Sequence, residues 1–317
     1  MPLSKNQVNW ITVTNQNSGQ RLDNFLGNVL RKVPRPHILK IIRKGQVRIN
    51  SGRISHTYKI KEGDVIRIPP VDFNERPTPS TKSVIAHLSP FILFEDEGLL
   101  VLNKPAGWAV HGGSGLSVGV IEQLRMERPE CQYLELAHRL DRDTSGLLVI
   151  AKKRSYLMLL HEQWRQKSLQ KHYMAFVQGS WTQRKSMDLT SPLVKFLDHN
   201  GERRVRVDPN GSPSHTRVIA SRVYAEGSLI EISLLTGRTH QIRVHLSHAG
   251  FPLASDDKYG DFSWNRALQK LGLKRLFLHA KSLRFVHPKT QETLFLEAPL
   301  PEHLDDFLKN LSPLGQK

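Results

Sequence analysis

Apolar positions recur along this chain with two distinct periods. Leu22, Phe25, Leu26, Val29 and Leu30 fall at i, i+3, i+4, i+7 and i+8, one stripe of a helix, with Gly19 before it and Pro34 after it. A second short helix is predicted from Pro36 to Gly45, with Ile38, Ile41 and Ile42 inward and Lys40, Arg43 and Lys44 outward. The segments 47–50 and 65–68 then alternate like strands, joined through the turns Ser51-Gly52 and Glu62-Gly63-Asp64. Residues 71–89 mix Pro, Thr, Ser and Asn without a period and read as a linker. The chain accordingly divides into an N-terminal extension (1–18), a small module (19–70), the linker (71–89) and a larger domain (90–317).

In the larger domain, 91–94 and 99–103 are apolar enough for two strands, and Val118, Ile121 and Leu124 suggest a helix before Arg128-Pro129. The apolar run Leu147-Leu148-Val149-Ile150-Ala151 reads as a buried strand bounded by Gly146 on one side and Lys152-Lys153-Arg154 on the other. A helix over 155–166 and a strand over 171–179 follow. Residues 198–213, around Arg203-Arg204-Val205-Arg206, read as an exposed hairpin or loop. Strands at 216–223 and 229–235 lead into a turn and a helix that Gly250 closes. Strands at 276–286 and 293–297 and a helix over 302–311 complete the pattern.

Charge sharpens this picture. The formal net charge is +17, and between Arg21 and Pro70 there are 12 Lys and Arg against 3 Asp and Glu. About half the surplus therefore sits in the small module, which points to a polyanion such as nucleic acid. Cys131 is the only cysteine, so intrachain disulfides and cysteine-based zinc sites are excluded. Residues 1–10 hold no apolar core of signal-peptide length, and no run approaches the ~20 apolar residues of a membrane span. A cytoplasmic, monomeric protein is expected.

Chemistry concentrates in His138-Arg139-Leu140-Asp141-Arg142-Asp143-Thr144-Ser145-Gly146, a charged turn at the end of a buried strand. Guanidinium groups at Arg139 and Arg142 favour the ionised form of Asp141, which suits a nucleophile or base. His111-Gly112-Gly113-Ser114-Gly115 lacks a P-loop lysine and reads as a loop near a binding cleft. Tyr173, in the strand Lys171-His172-Tyr173-Met174-Ala175, offers an aromatic face on which a base can stack. Thr236-Gly237-Arg238-Thr239-His240-Gln241-Ile242-Arg243-Val244-His245 places two arginines where a helix begins, apt for a phosphate or carboxylate. His240 and His245 do not share a helical face, and His245 and His248 lack a third ligand nearby, so no metal is expected.

Taken together these words resemble the RluA-type pseudouridine synthases. H-R-L-D-x-x-T-S-G at 138–146, K-x-Y-x-A at 171–175 and G-R-[ST]-H-Q-[IL]-R-V-H at 237–245 stand in that family's order. The phrases Arg21-Leu22-Asp23, Lys44-Gly45-Gln46-Val47-Arg48-Ile49-Asn50 and Glu62-Gly63-Asp64 resemble an S4 RNA-binding domain. The resemblance implies an α+β fold: a mixed, mainly antiparallel central sheet flanked by helices, with a small S4-like α/β domain before it. It implies isomerisation of uridine to pseudouridine in 23S (large-subunit) ribosomal RNA or its precursor, with no cofactor. By position, Asp141 is the catalytic residue, Tyr173 stacks on the uracil, Arg243 pairs with Asp141 and Ile242 helps to form the base pocket. Arg139 is assigned to the gap left by the flipped base, and Arg35, Lys40, Arg43, Lys44 and Arg48 to the RNA backbone.

Two other readings compete. Asp141-Arg142-Asp143-Thr144 fits the D-x-D-x-T of a magnesium-dependent haloacid-dehalogenase phosphatase, although there the apolar strand precedes the first aspartate. A non-catalytic RNA-binding protein would use the S4-like part alone.

Overall fold

The computed structural model describes residues 7–30, 33, 35–70, 87–112, 118–182, 186–199 and 201–314, without the side chains of Arg35 and Pro36. Residues 1–6 of the expected extension, 71–86 of the expected linker and Gly113-Ser114-Gly115 of the glycine-rich turn lie outside them. The chain folds as two compact units, 1–84 and 85–317.

In the first unit the predicted helices are α1 (Leu22–Val29) and α2 (Arg35–Arg43). Their apolar stripes bury Leu22, Phe25, Leu26, Ile38, Ile41 and Ile42 against Ile49, Ile66 and Ile68 of a small antiparallel sheet. That sheet has three strands in the order β1-β3-β2: β1 (Asn9–Thr12), β2 (Arg48–Ile49) and β3 (Val65–Ile68). Part of the expected extension therefore belongs to the module, since Asn9–Thr12 pairs with β3 along its whole length. A four-residue edge strand with Trp10 outward has too little apolar alternation to announce itself. The other end of the linker differs too: Leu88 is fully buried in the second unit's core, so 87–89 go with that unit.

The second unit is built on a ten-stranded sheet in the order β4-β5-β7-β14-β8-β13-β12-β9, with β15 beside β14 and β6 beside β7. The strands are β4 (Ile92–Glu95), β5 (Leu99–Lys104), β6 (Glu135–Leu136), β7 (Ser145–Ala151), β8 (Gln170–Val177), β9 (Met187–Leu189), β12 (Thr216–Tyr224), β13 (Gly227–Leu234), β14 (Leu278–Val286) and β15 (Thr293–Glu297). Every pairing is antiparallel except β7 with β14. A separate hairpin joins β10 (Leu193–Leu197) to β11 (Arg203–Val207). The helices are α3 (Val120–Glu127), α4 (Arg154–Gln166), α5 (Gln241–His248), α6 (Phe262–Lys270) and α7 (Glu302–Lys309).

Side chains of β7 alternate between two cores: Leu148 and Ile150 on one face, Leu147, Val149 and Ala151 on the other. Burial on both sides is why its sequence shows no polar alternation. The parallel join of β7 to β14 consists of two residue pairs, His279↔Ser145 and Ala280↔Gly146. Ser145 Oγ lies 2.9 Å from His279 Nδ1, while His279 Nε2 donates to the carbonyl of Ala298. Nδ1 is therefore the acceptor, and burial holds the ring neutral by pulling its pKa to about 4. Gly146 has φ +109°, and a Cβ there would lie 2.2 Å from the Ala280 carbonyl oxygen. The glycine of the Thr-Ser-Gly triplet is thus required by the close approach of two strands. Replacing Gly146 by Ala should lower the stability of the second unit by about 1–3 kcal/mol, the range for strain at a special φ. A shift to lower denaturant midpoint in urea unfolding of the full chain is the expected result, and an unchanged midpoint would contradict it.

Candidate active site

The loop carrying Asp141 runs from β6 into β7 and is held through its backbone and its neighbours. His138 Nε2 accepts the Val149 N–H at 3.1 Å, and its ring stacks on Trp164 with centroids 5.3 Å apart. Burial pushes the His138 pKa down to about 3, so the ring stays a neutral acceptor. Lys104, at the end of β5, is fully buried and donates to the carbonyls of Pro105 (2.8 Å), Trp108 (3.0 Å) and Arg142 (3.0 Å). Burial draws this ammonium down to about 7, with Asp143 opposing, Arg275 adding to the fall and Asp141 opposing. Gly107 N–H also donates to the Arg142 carbonyl. The turn is thereby clipped to β5, and the Asp141 carboxylate has no hydrogen-bond donor among the described residues.

Asp141 opens into a cavity of ≈ 480 Å³. Tyr173 from β8, Ile242 and Arg243 from α5 and the exposed Arg139 share its wall, so the structure brings all five of these residues to one place. Tyr173 is 7% exposed; burial first, then the charge of Asp141, raises its pKa well above the usual phenol range, which keeps the hydroxyl protonated. Arg243 Nη1 stands 3.9 Å from Asp141 Oδ2. Its tighter partners are Asp256, which takes Nε at 2.7 Å and Nη2 at 2.6 Å, and Asp257 at 2.8 Å. Burial disfavours the Arg243 charge, but Asp256, Asp141 and Asp257 outweigh it and raise the pKa. Burial likewise disfavours ionised Asp256, and Arg243 outweighs that. The Tyr259 ring lies under the guanidinium at 5.2 Å.

These contacts correct the local charge argument. Arg142 turns to Asp143 at 3.2 Å, Arg139 faces solvent, and the guanidinium nearest Asp141 comes from α5, a hundred residues on. Sequence reasoning gives no functional part to Asp256, Lys104 or His240. Asp256 carries no local signal, since its pairing with Arg243 exists only once the loop after α5 folds back. Lys104 reads as the polar end of a strand, and His240 reads as one histidine among several. His245 is a core residue bonded to the Ser191 carbonyl and Thr216 Oγ1. Asp141 precedes its buried strand rather than following one, so the D-x-D-x-T phosphatase arrangement does not form.

A second cavity of ≈ 630 Å³ adjoins the first, sharing Arg139, Asp141, Gly237 and Arg238 and extending along Lys195 and Asn210. In the first unit Lys40, Arg43, Lys44 and Arg48 are all exposed. Arg43 and Arg48 bond only to nearby backbone carbonyls, and none of the four pairs with a carboxylate among the described residues. The side chain of Arg35 lies outside the described residues.

Comparison with known proteins places the chain among relatives. The sequence pattern of the RNA pseudouridylate synthase family matches residues 98–248, and that of the S4 domain matches residues 20–66. The chain is 53% identical to the ribosomal large subunit pseudouridine synthase C of Yersinia pestis over 300 residues, covering 94% of this chain and 93% of that one. It is 50% identical to the protein of the same name from Haemophilus ducreyi over 307 residues, 96% of each. Among solved structures it resembles human RNA pseudouridylate synthase domain containing 4, with a TM-score of 0.57 and 28% identity over 70% of this chain and 93% of that one. A mixed sheet whose loop presents Asp141 opposite Tyr173 and Arg243, preceded by an S4 domain and joined to relatives of this closeness, establishes that the chain belongs to the RNA pseudouridylate synthase family.

Proposed function

We propose that this pseudouridine synthase acts on uridines of 23S ribosomal RNA, free or within the large-subunit precursor, in the cytoplasm, and that Asp141 is its catalytic carboxylate. The observation that carries the reading is the meeting of the Asp141 carboxylate, the Tyr173 ring and the Arg243 guanidinium on one cavity, from three separate stretches of sequence. Isomerisation breaks the bond from ribose C1′ to N1 and makes one from C1′ to C5; N1 gains the proton that C5 loses, so no electron or group acceptor is consumed. The target base must leave the stack to reach the carboxylate, at a cost of a few kcal/mol. Tyr173 offsets part of that cost by stacking, worth about 1–3 kcal/mol per base on an aromatic side chain. Ile242 closes the apolar wall, and Arg139 fills the space the base vacates. Arg243 offsets the charge of Asp141 without hydrogen-bonding it, which leaves the carboxylate oxygens open to the nucleotide. Lys40, Arg43, Lys44, Arg48 and Arg35 grip RNA phosphates and supply affinity rather than sequence reading.

Asp141→Ala is expected to abolish pseudouridine formation at the target sites while RNA affinity stays within about threefold, since the basic contacts carry the affinity. Pseudouridine mapping of ribosomal RNA from cells with the variant checks this, and full modification would refute the assignment. Asp256→Ala breaks a buried pair and is expected to cost about 3–5 kcal/mol of stability. Thermal unfolding reads that loss, and an unchanged melting temperature would deny Asp256 its role as the anchor of Arg243. Deleting residues 1–75 should weaken RNA binding and flatten the plot of log affinity against log salt by about one unit of slope for each phosphate that is no longer neutralised. An equal slope would remove the basic module from the interface.

A further inference from the structure

His240 closes the chain's approach to α5 in a left-handed conformation, φ 52° and ψ 21°, that a side-chain-bearing residue adopts at a cost. The conformation puts its ring on the wall of the ≈ 480 Å³ cavity, next to Ile242 and Arg243. Nδ1 lies 2.8 Å from the hydroxyl of Tyr259. The same hydroxyl receives the backbone N–H of Val205, in β11, at 2.9 Å. An amide can only donate, so the phenol oxygen is an acceptor there, and its own hydrogen has one other partner among the described residues, Nδ1 of His240. The arrangement that satisfies that hydrogen makes Nδ1 the acceptor and leaves the imidazole hydrogen on Nε2. Nε2 has no protein partner among the described residues, and the side chain lines the cavity.

The surroundings agree with a neutral ring. Burial lowers the His240 pKa, Asp141 raises it, Arg243 and Lys258 lower it and Asp256 raises it, with a net fall. Tyr259 is itself fixed: Ser247 Oγ donates to its carbonyl at 2.8 Å, and its N–H donates to Asp256 at 3.0 Å. The cavity thus holds one neutral, preset N–H donor beside a carboxylate. A phosphate oxygen is matched by a charged fork of the arginine kind, whereas a neutral donor on the wall beside Ile242 matches a neutral acceptor.

We propose that His240 contacts the target base, donating from Nε2 to a carbonyl oxygen of the extruded uracil, and that Tyr259 is the positioning residue that fixes this tautomer. The inference rests on the uridine-isomerase reading above. Because the Val205 N–H belongs to β11, the hairpin and the donor share one hydroxyl, and displacement of the hairpin is felt at the base.

The test compares His240→Gln, whose amide N–H₂ can reach the Nε2 position, with His240→Asn, which reproduces only the Nδ1 end. In single-turnover modification of a ribosomal RNA fragment, His240→Asn should slow the chemical step by about tenfold or more, the worth of one hydrogen bond in a dry site, with RNA affinity unchanged. His240→Gln should recover most of the rate. Replacing the uracil carbonyl oxygens by sulfur one at a time should slow the wild type at one position and leave His240→Asn indifferent there. Nitrogen-15 spectra of histidine-labelled protein should show the Nε2–H tautomer at His240, lost in Tyr259→Phe. Equal rates for His240→Asn and wild type, equal losses for Asn and Gln, indifference of the wild type to both sulfur substitutions, or an Nδ1–H tautomer would each overturn the proposal. The spectrum does not depend on activity, and retained activity in Asp141→Ala would strike the uridine-isomerase reading instead, so the two failures are distinguishable.

Discussion

The buried guanidinium of Arg243 is the constraint to which the second unit is fitted. An unpaired charge so far from water would cost several kcal/mol, so it must be matched, and how it is matched decides the state of Asp141. Were Asp141 its bidentate partner, both carboxylate oxygens would be tied up in hydrogen bonds and poorly disposed to react. Asp256 takes that role instead, itself fixed by the N–H groups of Lys258 and Tyr259, and Asp257 accepts a second bond from Nη2. What reaches Asp141 is a guanidinium at 3.9 Å, too far away for a hydrogen bond. Pairing Arg243 from behind is therefore what leaves Asp141 near a cation with its oxygens still open.

The parts legible in the sequence are those whose cause is local. The stripe of α1 and the doubly buried run of β7 each state their environment in their own periodicity, and the strands on either side of the turns at 95–98 and 225–226 follow from the same signals. Asp141, Tyr173 and Arg243 stand in recognisable phrases, which is why the chain's wording alone singles them out. What the sequence hides is pairing across distance. Arg142 sits beside Asp141 in the chain yet bonds Asp143, while the cation that serves Asp141 arrives from α5. The edge strand Asn9–Thr12 and the helix Phe262–Lys270 are hidden for a related reason: the strand buries no residue fully, and the helix buries only Leu268 and exposes Phe262.

Histidines show how one residue type divides among tasks by environment. His138 accepts from Val149 to shape the loop, His279 bridges Ser145 and the Ala298 carbonyl to seal the β7 and β14 join, and His245 fills the base of α5. His279 and His245 use both ring nitrogens within the core, His138 accepts at Nε2 under the Trp164 ring, and burial holds all three pKa values below the ordinary value. His240 differs in leaving Nε2 without a protein partner among the described residues while its side chain lines the cavity, a difference that no spacing rule in the sequence records.

The way the Asp141 turn is fastened follows from the same requirement that governs Arg243. A reactive side chain needs a fixed position, yet every hydrogen bond used to fix it at the carboxylate would dull it. The chain resolves this by gripping the backbone and the neighbours. Lys104 and Gly107 hold the Arg142 carbonyl, the Thr144 N–H closes the turn on the Asp141 carbonyl, and His138 is pinned to β7. Gly146 then lets β7 press against β14 at the point where the loop ends, so the turn inherits the rigidity of the sheet. Positional precision comes from carbonyls and ring nitrogens away from the carboxylate, and in the proposed function the carboxylate oxygens are thereby left for the nucleotide.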